Sequence, residues 1–333
     1  MHILVTGGAG YIGSHTVIEL LESGHEVEIV DNLVNGEQET ISQVKEISGM
    51  DIPFHEIDAR NTEELIELVS KSSFDAVIHF AGLKAIGESV SDPLRYYSNN
   101  VGSTLSVLKA MQFAGIPRLI FSSSATVYGS PVELPVKETA PVGSNLTNPY
   151  GRTKFMSEEI ITDLTALDSN FEASILRYFN PVGRHPSGLI GGRLLRKPDN
   201  LAPFIAGVAA EKYPYVEVFG NDYDTLDGTG VRDYIHVSDL ARGHLAALEN
   251  SRPGLHTYNL GTGKGTSVLE LINIFGDVTG KVIPYKIANR RQGDVAESFA
   301  DVTKARNELH WIAKKSVADA CEDEWRWQSR RRS

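Results

Sequence analysis

A glycine-rich turn close to the start of the chain constrains the fold more than any other feature. The apolar run His2–Thr6 leads into Gly7-Gly-Ala-Gly-Tyr-Ile-Gly13, and an amphipathic pattern begins near Ser14. A dinucleotide-binding fold requires this order of strand, glycine turn and helix. The early glycines let the backbone turn tightly and approach a pyrophosphate, and the last one lets helix and strand pack closely. The motif therefore predicts a dinucleotide site at the first βα junction.

An acidic residue ends the next apolar run. Asp31 directly follows Val27–Val30. A carboxylate at this place accepts hydrogen bonds from the adenosine ribose hydroxyls and repels a 2′-phosphate. We therefore expect NAD rather than NADP, while the alternative is that Asp31 is only a turn residue at a strand end.

Short apolar runs alternate with longer amphipathic stretches through the first half of the chain. The predicted strands are His2–Thr6, Val27–Val30, Ile52–Glu56, Ala76–Phe80, Leu119–Ser122 and Ser174–Arg177. A parallel connection needs a crossover, so the pattern predicts an α/β fold with a doubly wound parallel sheet of the Rossmann type.

Beyond Tyr178 the pattern loosens into loops that contain proline and glycine, which predicts a smaller C-terminal α/β substrate domain. Asp233–Ser238 and the helical stretch Asp239–Leu248 look like a strand and helix that return to the first domain. The predicted division is 1–178 plus about 233–250 for the NAD-binding domain, and 179–232 plus about 251–333 for the substrate domain.

The charge and cysteine content exclude several classes of protein. Against 32 basic residues stand 43 acidic ones, a net charge of −11, which argues against binding to nucleic acid or anionic membranes. The single cysteine, Cys321, can form neither an intramolecular disulfide nor a thiolate metal cluster, so no metal is expected. A strand beginning at His2 and the lack of a bilayer-length apolar run predict a cytoplasmic protein.

A tyrosine and a lysine four residues apart are the candidate catalytic pair. Tyr150-Gly-Arg-Thr-Lys154 opens a predicted helix after Asn148-Pro149, so both side chains lie on one face. A phenol is a poor base at neutral pH, but a neighbouring ammonium and a positive nicotinamide favour the phenolate. Tyr150 is therefore predicted to take a proton from a substrate hydroxyl, the alternative being a solvated helix face.

A serine cluster closes the predicted strand Leu119–Ser122 at the carboxyl side of the sheet, where ligands of such folds bind. We expect the Ser124 hydroxyl to lie beside Tyr150. The alternative is a loop serine that satisfies nearby backbone groups.

With these motifs in hand, the chain resembles the extended short-chain dehydrogenase/reductase superfamily and, within it, the UDP-glucose 4-epimerase family. The resemblance runs nearly end to end. It rests on Val5–His15, Asp31-Asn, Ile78–Ala85, Tyr178–Gly183, Phe219–Tyr223 and Asp227–His236.

The resemblance implies two sets of ligand contacts. The implied NAD contacts are Gly7, Gly10, Tyr11, Ile12, Gly13, Asp31, Asn32, Asn35, Asp58, Ala59, Phe80, Ala81, Gly82, Lys84, Asn99, Ser122, Tyr150, Lys154 and Tyr178. The implied UDP-hexose contacts are Lys84, Ser124, Tyr150, Asn180, Asn200, Leu201, Phe219, Arg232, Arg291, Asp294 and Ser298. Two arginines suit a pyrophosphate, because guanidinium forks pair with its oxygens.

The resemblance also implies a reaction, the interconversion of UDP-galactose and UDP-glucose. Tyr150, aided by Ser124, removes the proton of the sugar 4-hydroxyl as hydride moves to tightly bound NAD, and the 4-keto sugar turns before it accepts the hydride on its other face. Members of this family are usually homodimers, so a homodimer is expected.

Two other functions are weighed against this one. A sugar-nucleotide 4,6-dehydratase needs an Asp-Glu pair after the serine or threonine of the strand end, where this chain has Ala125 and Thr126. A non-catalytic NAD-sensing regulator would be marked by loss of the tyrosine or lysine, and both are present.

Two departures refine the prediction. Where the family commonly has an acidic turn, this chain has a basic segment, Leu189–Pro198, which puts the conformation of that loop in question. Ser298 stands where a bulky tyrosine would exclude a 2-acetamido group, so we hypothesise that UDP-N-acetylglucosamine and UDP-N-acetylgalactosamine are also interconverted. The alternative is that neighbouring loops fill the space.

Overall fold

The computed structural model describes residues 1–131, 133–191, 200–291 and 293–330. Its strands are β1 His2–Thr6, β2 Glu26–Asp31, β3 Phe54–Glu56, β4 Ala76–His79, β5 Arg118–Ser122, β6 Glu172–Tyr178, β7 Asn180–Val182, β8 Val216–Phe219, β9 Val231–Arg232, β10 Tyr234–His236, β11 Gly254–Leu260, β12 Thr266–Ser267, β13 Tyr285–Ala288 and β14 Glu297–Ser298.

Its α-helices are α1 Tyr11–Glu22, α2 Gln38–Ser48, α3 Thr62–Lys71, α4 Ile86–Ser91, α5 Pro93–Tyr96, α6 Gly102–Ala114, α7 Pro149–Leu167, α8 Leu201–Ala209, α9 Val237–Glu249, α10 Val268–Thr279, α11 Thr303–Glu308 and α12 Val317–Arg330. A π-helical turn covers Tyr97–Val101, and a 3₁₀ turn covers Ala125–Tyr128.

A sheet of seven parallel strands forms the centre of the molecule, in the order β11-β6-β5-β4-β1-β2-β3. Successive side chains of a strand point to opposite faces, so Ile3 and Val5 of β1 pack in one apolar cluster with α1 and α9, while Leu4 packs in another with α3 and α6. The predicted Rossmann fold is confirmed. Strand order reverses between β1 and β4, and the crevice at such a point is where doubly wound folds bind ligands.

A smaller unit covers the carboxyl side of this sheet. Its core joins α8, β8, α10 and α12 around Ile205, Val216 and Phe275, all of them buried. Short strand pairs, β7 with β10 and β8 with β13, and a three-stranded sheet of β12, β9 and β14 complete it.

The return to the first domain differs from the sequence prediction. Helix α9 packs against α1, but β10 pairs with β7 outside the main sheet. The strand that completes the sheet is β11, which pairs with β6 along its whole length, although the sequence prediction placed residues 254–260 in the substrate domain. The rest of the two-domain division stays a prediction.

Within the described ranges, no helix is both long and apolar enough to cross a membrane. Nor do the side chains of those ranges include a group of three or more His, Cys, Asp or Glu arranged to hold a metal ion. Cys321 is buried, and its thiol is free.

Candidate active site

The glycine turn between β1 and α1 is closed so tightly that side chains could not fit. A Cβ on Gly13 would lie 2.2 Å from the Gly7 carbonyl oxygen, and a Cβ on Gly7, whose φ is +76°, would lie 2.7 Å from the amide nitrogen of Ala81. Helix α1 begins at Tyr11, three residues before the predicted start, and no side chain caps its first turn. Its free N–H groups suit the pyrophosphate of NAD.

Asp31 lies at the carboxyl end of β2 beside this turn. Its carboxylate is buried and accepts hydrogen bonds from two backbone groups, Ala9 N at 3.1 Å and Leu33 N at 2.9 Å. Burial raises the pKa of Asp31, and those two N–H groups oppose the rise. No cation neutralises this carboxylate in the contacts seen, so hydroxyl donors such as those of a ribose fit it and a phosphate does not.

The other residues implied for NAD lie at the carboxyl ends of neighbouring strands. Asn32 and Asn35 follow β2, Asp58 and Ala59 follow β3, Phe80, Ala81, Gly82 and Lys84 follow β4, Ser122 ends β5, and Tyr178 ends β6. The Asp58 carboxylate pairs with Arg60, whose Nη2 lies 2.6 Å from Asp58 Oδ2. This contact lowers the pKa of Asp58 to about 2. The sequence did not indicate that pairing.

Asn99 lies in the π-helical turn, a distortion that is often found at functional sites. Its neighbour Asn100 escaped the sequence analysis. The buried Asn100 amide accepts from Leu83 N at 2.7 Å and donates to Leu83 O and to Thr153 Oγ1, so it ties the loop after β4 to α7. Two asparagines inside a helical stretch, where they are poor helix formers, were the available signal.

Tyr150 is buried at the first turn of α7, where Asn148 caps the helix by accepting from Gly151 N at 2.8 Å. Burial raises the pKa of Tyr150 well above its ordinary value; the nearby Tyr178 adds to the rise, and the nearby Ser124 hydroxyl opposes it.

Lys154 is buried one helical turn further along α7. Its Nζ donates to the Ser122 carbonyl at 2.7 Å and lies 4.9 Å from the centre of the Phe121 ring. Burial lowers the pKa of Lys154 to about 8, although the Glu158 carboxylate opposes the shift. Loss of hydration is therefore the largest effect on the pKa values of both Tyr150 and Lys154.

Both shifts have one cause, the cost of a lone charge in a dry pocket. A phenolate at Tyr150 and an ammonium at Lys154 would be less costly there together than either ion alone.

The cations and the aromatic residue implied for UDP come together at one edge of the smaller unit. The Arg291 guanidinium stacks 4.5 Å from the centre of the Phe219 ring, and its Nε is 3.1 Å from Asp294 Oδ2. Arg232 Nη2 lies 4.0 Å from Oδ1 of the same aspartate. Gly293, between Arg291 and Asp294 in the chain, lies close to Thr147, just before α7.

The remaining implied substrate residues lie in β7, at the start of α8 and in β14. Asn180 is exposed in β7, Asn200 precedes α8, and Leu201 begins it. Ser298 is half-buried in β14, directly beside Arg232 of β9 in the strand register. Most of the basic segment Leu189–Pro198 lies outside the described residues, which omit 192–199.

Helix α12 reaches back to the glycine turn. Arg184 forms a buried ion pair with Glu324 at 3.0 Å, and its guanidinium lies between two rings, 5.0 Å from the centre of Tyr11 and 4.4 Å from that of Trp327. The Tyr11 hydroxyl donates to the Gly183 carbonyl at 2.5 Å. Tyr11, which opens α1, is thereby fixed by residues of the smaller unit.

Residues 3–261 match the NAD dependent epimerase/dehydratase family. The chain belongs to this family. A UDP-glucose 4-epimerase of Bacillus subtilis is 53% identical over 331 residues, 99% of this chain and 97% of that protein.

Solved structures of the family agree. A UDP-glucose 4-epimerase from Bifidobacterium longum, in complex with NAD+ and UDP, has a TM-score of 0.96 and 47% identity, and covers 99% of this chain and 98% of its own. One from Stenotrophomonas maltophila, with bound NAD and formylated UDP-arabinopyranose, has the same TM-score and identity and covers 100% and 99%. The likeness therefore includes both units of this epimerase/dehydratase family member.

Proposed function

We propose that this protein is a UDP-glucose 4-epimerase, which interconverts UDP-galactose and UDP-glucose by inverting the sugar C4. One observation carries the proposal: a tyrosine and a lysine one helical turn apart are both buried in the first turns of α7, and the Ser124 hydroxyl acts on the tyrosine. The full-length relatives at about half identity bear the same name.

The cofactor is NAD, because the glycine turn leaves no room for side chains and the Asp31 carboxylate suits a ribose with free hydroxyls. When bound, NAD supplies a hydride acceptor that can return the hydride to either face of the sugar carbon. The residues proposed to hold it are those at the carboxyl ends of β1 to β6, from the glycine turn to Tyr178.

Each of the catalytic and substrate-binding residues has a proposed role. The Tyr150 phenol exchanges the proton of the 4-hydroxyl, Ser124 orients that hydroxyl, and Lys154 supplies the charge that makes the phenolate attainable. Arg232 and Arg291 hold the pyrophosphate, and Phe219, Asn180, Asn200, Leu201 and Asp294 line the uridine side.

The experiment that tests this activity is incubation of the purified protein with UDP-galactose. We expect UDP-glucose to form without added NAD, because cofactor that escaped in mid-reaction would leave the sugar oxidised. Protein that purifies without dinucleotide and consumes free NAD in stoichiometric amounts would be a dehydrogenase instead. A product lacking the 6-hydroxyl would point to the dehydratase, and absence of any product to the regulator.

We further propose that the N-acetylated UDP-hexoses are interconverted as well. The basis is that Ser298 is small and half-buried beside Arg232, where a larger side chain would take up space that a 2-acetamido group needs. Ser298→Tyr is expected to lower the rate on UDP-N-acetylgalactosamine relative to UDP-galactose by about tenfold or more, because the ring would occupy that space. An unchanged ratio of the two rates would show that the serine does not set the specificity.

We also propose that the protein is a homodimer and that it lies in the cytoplasm. Helices α4, α5 and α7 contact one another and leave Val90, Leu94 and Met156 exposed, an apolar surface suited to a second copy. The buried, free Cys321 thiol is consistent with a reducing compartment. Sedimentation equilibrium should give twice the chain mass of 36.5 kDa, and a monomeric mass would exclude the dimer.

A further inference from the structure

Three consecutive serines at the end of β5 contact three residues of α7 that recur at every fourth position. The three contacts are Ser122 with Lys154, Ser123 with Glu158, and Ser124 with Tyr150. Residues four apart lie in one row on a helix face, so the strand end and the helix meet at three neighbouring points. The contacts of Ser122 and Ser124 involve the proposed catalytic pair, and the contact between Ser123 and Glu158 has no role so far.

Glu158 is held firmly in this row. It is 3% exposed and accepts a hydrogen bond from Ser123 Oγ at 2.5 Å. Arg177 of β6 binds the same carboxylate with its guanidinium fork, with Nη2 to Oε2 at 2.6 Å and Nε at 3.1 and 3.2 Å. A bidentate pair of this kind has a defined geometry, unlike a single flexible contact.

Arg177 in turn anchors the segment that follows the serines. Its Nη1 donates to Tyr128 Oη and to the Glu138 carbonyl, both at 3.2 Å. Tyr128 ends the 3₁₀ turn that Ser124 caps, where the serine hydroxyl accepts from Thr126 N at 3.2 Å. The carboxylate of Glu158 is therefore the point at which α7, β5 and β6 are held together next to the reacting groups.

The charge of Glu158 also acts on Lys154. The titratable groups that interact electrostatically with this lysine are Glu158 from α7 and His79 from β4. Burial lowers the pKa of His79 to about 3, so that ring is neutral. Glu158 is the group whose charge favours the ammonium form of Lys154 against burial.

We propose that Glu158 is a positioning residue of the epimerase reaction, which, clamped by Ser123 and Arg177, aligns the Ser122 carbonyl on Lys154 and the Ser124 hydroxyl on Tyr150. This assignment rests on the proposed function, because it concerns the same tyrosine and lysine. Glu158 touches neither reacting group directly and acts through the strand end and through its charge.

The test replaces Glu158→Gln, which keeps the shape and removes the charge. We expect kcat on UDP-galactose to fall by about 10- to 100-fold, because misplacement of catalytic groups by a fraction of an ångström to an ångström is costly, while KM and bound NAD stay at parent values. The high-pH limb of the kcat profile moves to lower pH, because Lys154 loses its proton more easily without the carboxylate. Glu158→Asp keeps the charge, so its high-pH limb should lie at the same pH as that of the parent. Ser123→Ala should lower kcat without shifting the pH of this limb.

The matched control is Glu172→Gln. Glu172 and Arg118 form a 2.6 Å ion pair that joins the same strands, β5 and β6, at their opposite ends. This variant should keep the parent kcat and the parent pH limb. Parent-like kcat and pH profile in Glu158→Gln would overturn the proposal.

A second measurement separates this proposal from the proposed function. The pKa of Lys154, followed through its isotope-labelled Cε by NMR, should be lower in Glu158→Gln than in the parent and in Glu172→Gln. An equal Lys154 pKa in the three proteins refutes the role of Glu158, whether or not UDP-hexoses are converted. Failure of the parent to convert UDP-galactose refutes the proposed function and leaves the outcome of the titration to decide on Glu158.

Discussion

Tyr150→Phe protein is expected to lose epimerase activity by about 100- to 10,000-fold, the usual contribution of a general acid–base group. The change removes the one hydroxyl that both Ser124 and Tyr178 contact, and it leaves the buried ring in place. The measurement is the initial rate of conversion of UDP-galactose at saturating substrate.

The loss of rate reports on the chemical step only if the variant folds like the parent and carries the same amount of NAD. We expect parent-like circular dichroism and parent-like bound dinucleotide, because the phenyl ring still fills its site against Leu83 and Tyr96. Tyr285→Phe, at a tyrosine that is 46% exposed in β13, is the matched control and should keep the parent rate. Turnover by Tyr150→Phe at the parent rate would remove the basis of the mechanism.

Gly13→Ala protein is expected to lose its NAD and with it the reaction. The added Cβ would lie 2.2 Å from the Gly7 carbonyl oxygen and 2.9 Å from Gly8 Cα. These are backbone atoms of the pyrophosphate turn, so the turn itself must shift. The resulting strain of roughly 1–3 kcal/mol makes the free energy of NAD binding less favourable. This corresponds to an affinity for NAD that is about 10- to 100-fold weaker.

The dinucleotide released from denatured protein measures this effect. Gly87→Ala is the control, since a Cβ at that position of α4 meets open space, and it should purify with the parent amount of NAD. Full occupancy in Gly13→Ala would mean that the turn accommodates the methyl group and that close packing at this glycine is not required.

The sequence predicted the central features of the fold because they have local signals. The run His2–Thr6 and the glycine turn predicted β1 with its bounds, and Asn148-Pro149 predicted the start of the catalytic helix. Strand β11 was misplaced because it contains His256, Thr257 and Asn259, so its apolar pattern is weak, and only its pairing with β6 makes it part of the sheet.

The parts of the site that escaped prediction depend on contacts between distant segments. The sequence displays three serines in a row, and it displays Glu158 two turns after Tyr150, but which serine meets which helix residue is set by the way β5 ends against α7. The pKa of Tyr150 could not be foreseen either, because burial and not the spacing to Lys154 dominates it.

The contact between Tyr11 and the Arg184–Glu324 pair makes the cofactor loop depend on a distant part of the chain. Glu324 and Trp327 of α12 support Tyr11 through Arg184, and Tyr11 opens the helix that follows the glycine turn. Removal of α12 would leave Arg184 without its carboxylate, at the cost of an isolated buried charge. A chain truncated before α12 is therefore expected to bind NAD more weakly.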